Sequence, residues 1–316
     1  MTDHAQLALS TSIRKKIFAI GLLAVMPILA ISLLAGRSLL NHQEAALNVE
    51  LQQQADFCAR ELAREVRVMF ATLDSLATSD AAMRSDYAAL HAHASRVAAL
   101  SPRIGGISAV GVDGIPRFST LVPFAVPMPA IAPTDSDKKV LATGSRQVSP
   151  LFVAPLSGKK QVLFMVPVKQ EGKTVLVLRA SMWTEAISEV VHEQPVPSTW
   201  IASVIDQNMI QIARSQDAAR FVGQPPSEFT QAAIRAGRST PYVAISSDGI
   251  AMTATVARVA DTPWTVVVGA PSTSFTSDVW QAFQSTLWIG LLCAVVSALG
   301  IWLLARALQK EVHVRA

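Results

Sequence analysis

Arginine within apolar strand-like segments is the most informative feature of this sequence. In Thr174 to Ser181, alternation puts Val175, Val177, Arg179 and Ser181 on one face, and in Ile115 to Thr120 it does the same for Ile115, Arg117 and Ser119. A guanidinium on such a face is costly unless an anion meets it, and its planar fork fits a carboxylate. Arg117 and Arg179 are therefore candidate grips for a carboxylate-bearing ligand, with Arg146, just after Gly144, as a third. Each has a plainer alternative. Arg117 and Arg179 can equally serve in an internal ion pair or on an outward sheet face, and Arg146 on the solvated surface. Phe118, Phe152, Phe164 and Trp183 lie on or beside the same segments and would either wall a cavity around these charges or fill an ordinary core.

Reactive chemistry lacks its parts. His42, His91, His93 and His192 are scattered over helix-like stretches, and the two-residue step from His91 to His93 turns them to different helix faces, a poor geometry for one metal. No nucleophile elbow or phosphate-binding glycine loop occurs. No catalytic residue, metal or cofactor is expected. The cysteines are Cys58 and Cys293, the second within a long apolar run, so the region between the runs has no partner for an internal disulfide. Cys58 falls on a helical stripe, either as a buried thiol or as a bridge between two chains.

The net charge of +4 sits at the ends. Between Arg37 and Thr286 the chain balances 21 Lys/Arg against 21 Asp/Glu, which excludes a nucleic-acid footprint. Arg14, Lys15 and Lys16 precede the apolar run Ile17 to Gly36, and Arg306, Lys310 and Arg315 follow the run Leu287 to Ala305. Each run is long enough to cross a bilayer as a helix. The positive-inside rule then puts both termini in the cytoplasm of a bacterial inner membrane and residues 37–285 outside it, in the periplasm of a Gram-negative host.

These candidate residues need elements to position them. From Ser38 to about Leu76 an apolar stripe at Leu47, Leu51, Ala55, Cys58, Leu62, Val66, Met69 and Leu73 predicts one long amphipathic helix, packed on its own domain or on a second copy. A second helix is expected over Asp80 to Leu100, stopped by Ser101-Pro102. Short strands follow: a hairpin around Asp113-Gly114, a loop with four prolines over Leu121 to Asp137, a helix over Asp137 to Ala142, strands Gln147 to Val153, Gln161 to Val168 and Thr174 to Ser181, and a helix Trp183 to Val191. The order then repeats, with strands Trp200 to Asp206 and Met209 to Ala213, a helix Phe229 to Ala236, and strands Tyr242 to Ser246, Ile250 to Arg258 and Trp264 to Gly269. The expected class is α+β, with a long N-terminal helix, two tandem antiparallel-sheet modules and two flanking transmembrane helices. The boundaries are 1–16 cytoplasmic, 17–36 first span, 37–195 stalk and distal module, 196–273 proximal module, 286–305 second span and 306–316 tail.

The strings VGVDGIPRFSTLVPF (110–124), GSRQVSPLFVAPLSGKKQVLFMVPV (144–168) and WIASVIDQNMIQIARSQDAARFVGQP (200–225), with this order of elements, resemble the extracytoplasmic double Cache sensors of bacterial receptors. These modules are related to PAS domains, and the similarity is greatest to sensor histidine kinases. The resemblance implies a ligand pocket in the membrane-distal module, within residues 105–185, and the arginines there point to an organic acid or amino acid. It also implies a homodimer that carries a signal across the membrane as the input part of a two-component system. Receptors of this kind continue past the second span into a catalytic domain, whereas no kinase or cyclase motif follows here. The expectation is a sensor piece separated from its output domain, or a subunit acting through a separate output protein. The alternative is an interaction protein whose outer domain docks a partner without a small-molecule ligand.

Overall fold

The first strand of each repeat leads an antiparallel sheet of the same connectivity. The structure, a computed structural model, describes residues 44–128, 134–155 and 157–272, with isolated positions in the flanking segments. The first sheet runs β2-β1-β6-β5-β3, with β4 also paired to β5: β1 Gly106–Gly111, β2 Pro116–Ser119, β3 Gln147–Val148, β4 Phe152–Val153, β5 Lys160–Gln170 and β6 Lys173–Trp183. The second runs β8-β7-β11-β10-β9: β7 Ile201–Ile205, β8 Gln211–Arg214, β9 Tyr242–Ile245, β10 Ala251–Arg258 and β11 Thr265–Pro271. Both sheets lie in one compact unit, Asn48–Ser272. The duplication expected from element order is therefore real at the level of topology.

The long helix α1, described over residues 44–77, spans about 50 Å at 1.5 Å per residue. Every residue of its predicted stripe is buried, from Leu47 through Leu51, Ala55, Cys58, Leu62, Val66 and Met69 to Leu73. The stripe is thus used within the chain and is not left for a second copy. Cys58 is a buried thiol, and burial pushes its pKa up to about 11, which removes it as a ready bridge between chains. Along its length α1 meets both modules. Gln52 Oε1 accepts from Thr255 Oγ1 on β10 at 2.6 Å, and Phe70 stands edge-on to Phe164 of β5 at 5.5 Å between ring centroids. Phe164 in turn meets Trp264, just before β11, at 5.7 Å. Trp264, Phe70 and Phe164 are among the largest fully buried side chains, so one aromatic chain ties helix, first sheet and second sheet together.

The expected helix Asp80 to Leu100 is divided into α2 (Asp80–Met83) and α3 (Tyr87–Leu100). Ser85 takes a left-handed backbone (φ 55°), Asp86 caps α3 by accepting from Ala89 N–H, and the Gln170 side-chain amide donates to the freed carbonyls of Ala82 and Met83. A cap and a long-range amide outweigh the continuous apolar period. The expected strand Gln147 to Val153 is likewise split, because Pro150 has no N–H to give a ladder and Ser149 turns its hydroxyl to the Leu163 amide at 2.8 Å. Leu151 N–H, turned away from β5, donates to Asp206 of the second module at 2.9 Å. The helices on the sheet faces are α4 (Asp135–Thr143), α5 (Thr184–His192), α6 (Ala218–Phe221) and α7 (Glu228–Arg235). The expected spans at 17–36 and 286–305 lie outside the described residues apart from isolated positions in the second. Among the described residues no helix is long and apolar enough to cross a membrane.

Phe164→Ala is expected to cost about 3–5 kcal/mol, the range for truncating a buried aromatic. Chemical denaturation of the variant should show one cooperative transition at lower denaturant, because the lost ring contacts α1 and the second module together. Two separated transitions would show that the modules do not share a core.

Candidate functional site

The α4 side of the first sheet holds a buried pair of opposite charges. α4 begins at Thr134, whose hydroxyl accepts from Asp137 N–H while the Asp137 carboxylate accepts from Thr134 N–H, a reciprocal capping box. The geometry turns Asp137 inward, and Val140 one turn later packs on Leu163, Met165 and Val177 of the sheet. Antiparallel register places Ser119, Ser108, Arg179 and Met165 in one row on neighbouring strands. Arg179 Nη2 lies 2.7 Å from Asp137 Oδ2, and the two residues are only 7% and 1% exposed.

This pair is short of hydrogen bonds. Arg179 Nε and Nη2 and Asp137 Oδ1 are buried without a hydrogen-bond partner among the described residues, so the 2.7 Å contact is an ion pair out of line for a hydrogen bond. Burial pulls the Arg179 pKa down and the charge of Asp137 opposes it, with burial the stronger. A buried ion pair whose remaining donors and acceptor are unmet is expensive; a carboxylate would meet the arginine donors, and an ammonium or other donor on the same ligand would meet Asp137 Oδ1.

The structure divides the other candidates. Trp183 alternates with Arg179 along β6, and Phe152 pairs with Gln161, Trp183's partner, so these two share the Arg179 face. The Trp183 ring carries the Lys159 ammonium at 3.9 Å, and its indole lies where a Cβ at Gly105 would stand, which requires glycine there. Phe164 and Phe118 occupy the opposite face, Phe164 against Phe70 of α1 and Phe118 edge-on to His91 of α3 at 5.6 Å. Arg117, on the edge strand beside a bulge, pairs with Asp113 at 2.7 Å and lies over the Tyr87 ring. Arg146 is half exposed, 3.6 Å from Asp74 and over the Phe70 ring. Arg117, Arg146 and Arg179 therefore hold three different carboxylates and do not converge. Sequence reasoning missed Asp137, although Thr134 with an acid three residues on is a capping-box signal.

The second module has a buried pair of its own. Arg214 on β8 is 3% exposed, and its Nη2 donates to both Asp248 oxygens at 3.0 Å while Nε donates to Gln216 O at 2.9 Å. Burial acts to raise the Asp248 pKa, but the Ser246 hydroxyl and the Arg214 charge prevail and hold it below the ordinary carboxylate value.

No family model and no curated protein matches this chain. Solved structures do. The extracellular domain of a protein assigned as a histidine kinase, rpHK1S-Z16, superposes with a TM-score of 0.59 at 15% identity, covering 74% of this chain and 98% of its own. The sensory domain of the Campylobacter jejuni chemoreceptor Tlp3, with isoleucine bound, gives 0.58 at 10% identity over 74% and 96%. The ligand-binding domain of the Pseudomonas fluorescens chemoreceptor CtaA, in complex with L-isoleucine, gives 0.58 at 12% identity over 74% and 96%. The fold is the double-module fold of extracellular sensory domains of histidine kinases and chemoreceptors, as the sequence resemblance implies.

Asp137→Ala is expected to lose about 3–5 kcal/mol of stability by leaving a buried charge alone, whereas Arg117→Gln, at a solvent-facing pair, should lose less than about 1 kcal/mol. Urea denaturation of the two variants measures the contrast. For Asp248 the folded pKa lies below the unfolded value of 3.8, so its stabilisation is complete above that pH and is lost as pH falls through the depressed value. Asp248→Asn should therefore melt lower than the parent at pH 7, with the difference narrowing below about pH 4. Thermal melts between pH 7 and pH 2.5 on both proteins check this; a constant difference would contradict it.

Proposed function

We propose that this chain is the extracytoplasmic sensor of a two-span bacterial membrane receptor. Its distal module binds a small carboxylate-bearing solute, an organic acid or amino acid, between the first sheet and α4. The observation that carries this reading is the buried Arg179–Asp137 pair with its unmet donors and acceptor, on the sheet face that α4 covers. Support comes from the fold shared with Tlp3 and CtaA, both of which were solved with amino acids bound. Trp183 and Phe152 are the aromatic walls of the site, and Arg179 is its carboxylate grip. Arg117, Arg146, Phe118 and Phe164 act through the framework around it.

The membrane anchoring rests on the two apolar runs and their flanking basic residues. It is supported by Trp288, Leu291, Leu292, Val295, Val296, Leu299 and Trp302, which are helical and each more than half exposed. Ligand binding conveys a signal only by favouring one of two conformations. Because α1 packs on both sheets, the two modules are tied to one helix. Docking of a partner protein without a small ligand is the second reading. It is favoured by Val112, Ile115, Leu121, Phe124 and Val126, all exposed along one stretch of the distal module.

Melting of the purified full chain against a panel of L-amino acids and small organic acids tests the first reading. One chemical class should raise the transition temperature in a concentration-dependent way. Arg179→Met should abolish the rise and Arg117→Gln should leave it. A flat response across the panel, or a full response in Arg179→Met, would sink the solute-sensor reading.

A further inference from the structure

The second module carries a cavity of about 30 Å³ between its sheet and α7. Its place matches that of the α4 site in the first module, since both sheets have the same strand order and each has its helix on the corresponding side. The polar part of the lining includes Ser203, Gln211, Arg214, Ser227, Thr230 and Ser246. The apolar part includes Ala254, Met252 and Gly269, where a Cβ would stand 2.6 Å from Met252 Sδ, so glycine keeps the floor open.

The two modules also correspond in their charges. Ser108 of β1 is flanked in register by Ser119 and Arg179, and Ser203 of β7 by Arg214 and Val267. Each sheet thus sets one arginine beside the equivalent serine, on opposite sides of it. Arg214 is 97% withdrawn from solvent, and its guanidinium is stacked on Phe221 at 4.2 Å. Its Nη2 and Nε are engaged by Asp248 and Gln216, while Nη1 makes none of the hydrogen bonds of the described residues. Two hydroxyls at the start of α7 line the same cavity. Ser227 caps α7 without a side-chain hydrogen bond to the helix amides, its hydroxyl meeting Thr230 Oγ1 at 3.2 Å instead.

We propose that this cavity is a second ligand site, independent of the α4 site, for a small monocarboxylate of acetate or propionate size. A buried cationic donor, hydroxyls and uncapped helix amides at one end suit a carboxylate head, and Ala254 and Met252 at the other suit a short alkyl tail. The small volume excludes an amino acid with a large side chain. Asp248 neutralises part of the arginine charge, so the site binds weakly and reports on abundant solutes.

The test is calorimetric titration of the purified full chain with sodium acetate and sodium propionate, with sodium chloride at matched ionic strength and acetamide as neutral control. Saturable binding of acetate or propionate, and none of acetamide, is expected for the parent. Arg179→Met, which disables the α4 site, should bind equally well, so this result is separable from failure of the first-module reading. Ala254→Leu fills the cavity and should weaken binding at least about tenfold, a loss of about 1.4 kcal/mol by the standard relation. If that variant does not fold by circular dichroism, Ser203→Val serves the same purpose. No saturable binding to the parent, which would mean a cavity holding water only, or unchanged binding in the folded cavity variant, would overturn the proposal.

Discussion

Burial of one helical stripe against two sheets is the constraint from which the rest of this structure follows. A single β-sheet module of this size buries little of its surface and gains correspondingly little stability. Here α1 lays Leu51, Ala55, Cys58, Leu62, Val66, Met69 and Leu73 into a common core, with Phe70, Phe164 and Trp264 meeting edge to face where the modules join. The helix is thus a shared wall, and the modules differ in what each keeps on its far face. That far face is where charge is buried: Arg179 with Asp137 under α4, Arg214 with Asp248 beside α7.

The two pairs illustrate how burial and hydrogen bonding divide labour. Arg214 is held through Nη2 and Nε by a carboxylate and a backbone carbonyl, with an aromatic face beneath it. Arg179 has an ion-pair partner but leaves donors unmet, and Asp137 spends its other contacts on capping α4. The carboxylate that holds the arginine is therefore also the residue that starts the helix. A ligand competing for one role of Asp137 disturbs the other, which links occupancy of the site to the seating of α4.

Much of this was legible in the chain. The period of α1, the Asp113-Gly114 hairpin and the repeat of strands around one helix all follow local rules, and the structure obeys them. What could not be read were tertiary choices. Gln170, far along the chain, satisfies the carbonyls exposed where α2 ends, and no local pattern announces that partner. The convergence of Arg117 and Arg179 failed for a similar reason. Each obeys strand alternation, but a bulge in β2 and a nearby Asp113 give Arg117 an acid of its own. Asp137 was overlooked because an acid in a first helical turn is ordinarily solvated, and here it is 1% exposed.

Pro150 has an effect beyond dividing a strand. The next amide, Leu151 N–H, is accepted by Asp206, whose carboxylate also holds the turn amides of Asn208 and Ile210. Nearby, Lys160 reaches from β5 to the Val222 carbonyl, and Gln207 donates to the Val148 carbonyl. The rim of one sheet is thus stitched to the other module by bonds that each join a side chain on one side to a main-chain group on the other. Displacing Leu151, next to β4, therefore pulls on the β7–β8 turn through the one carboxylate that holds both.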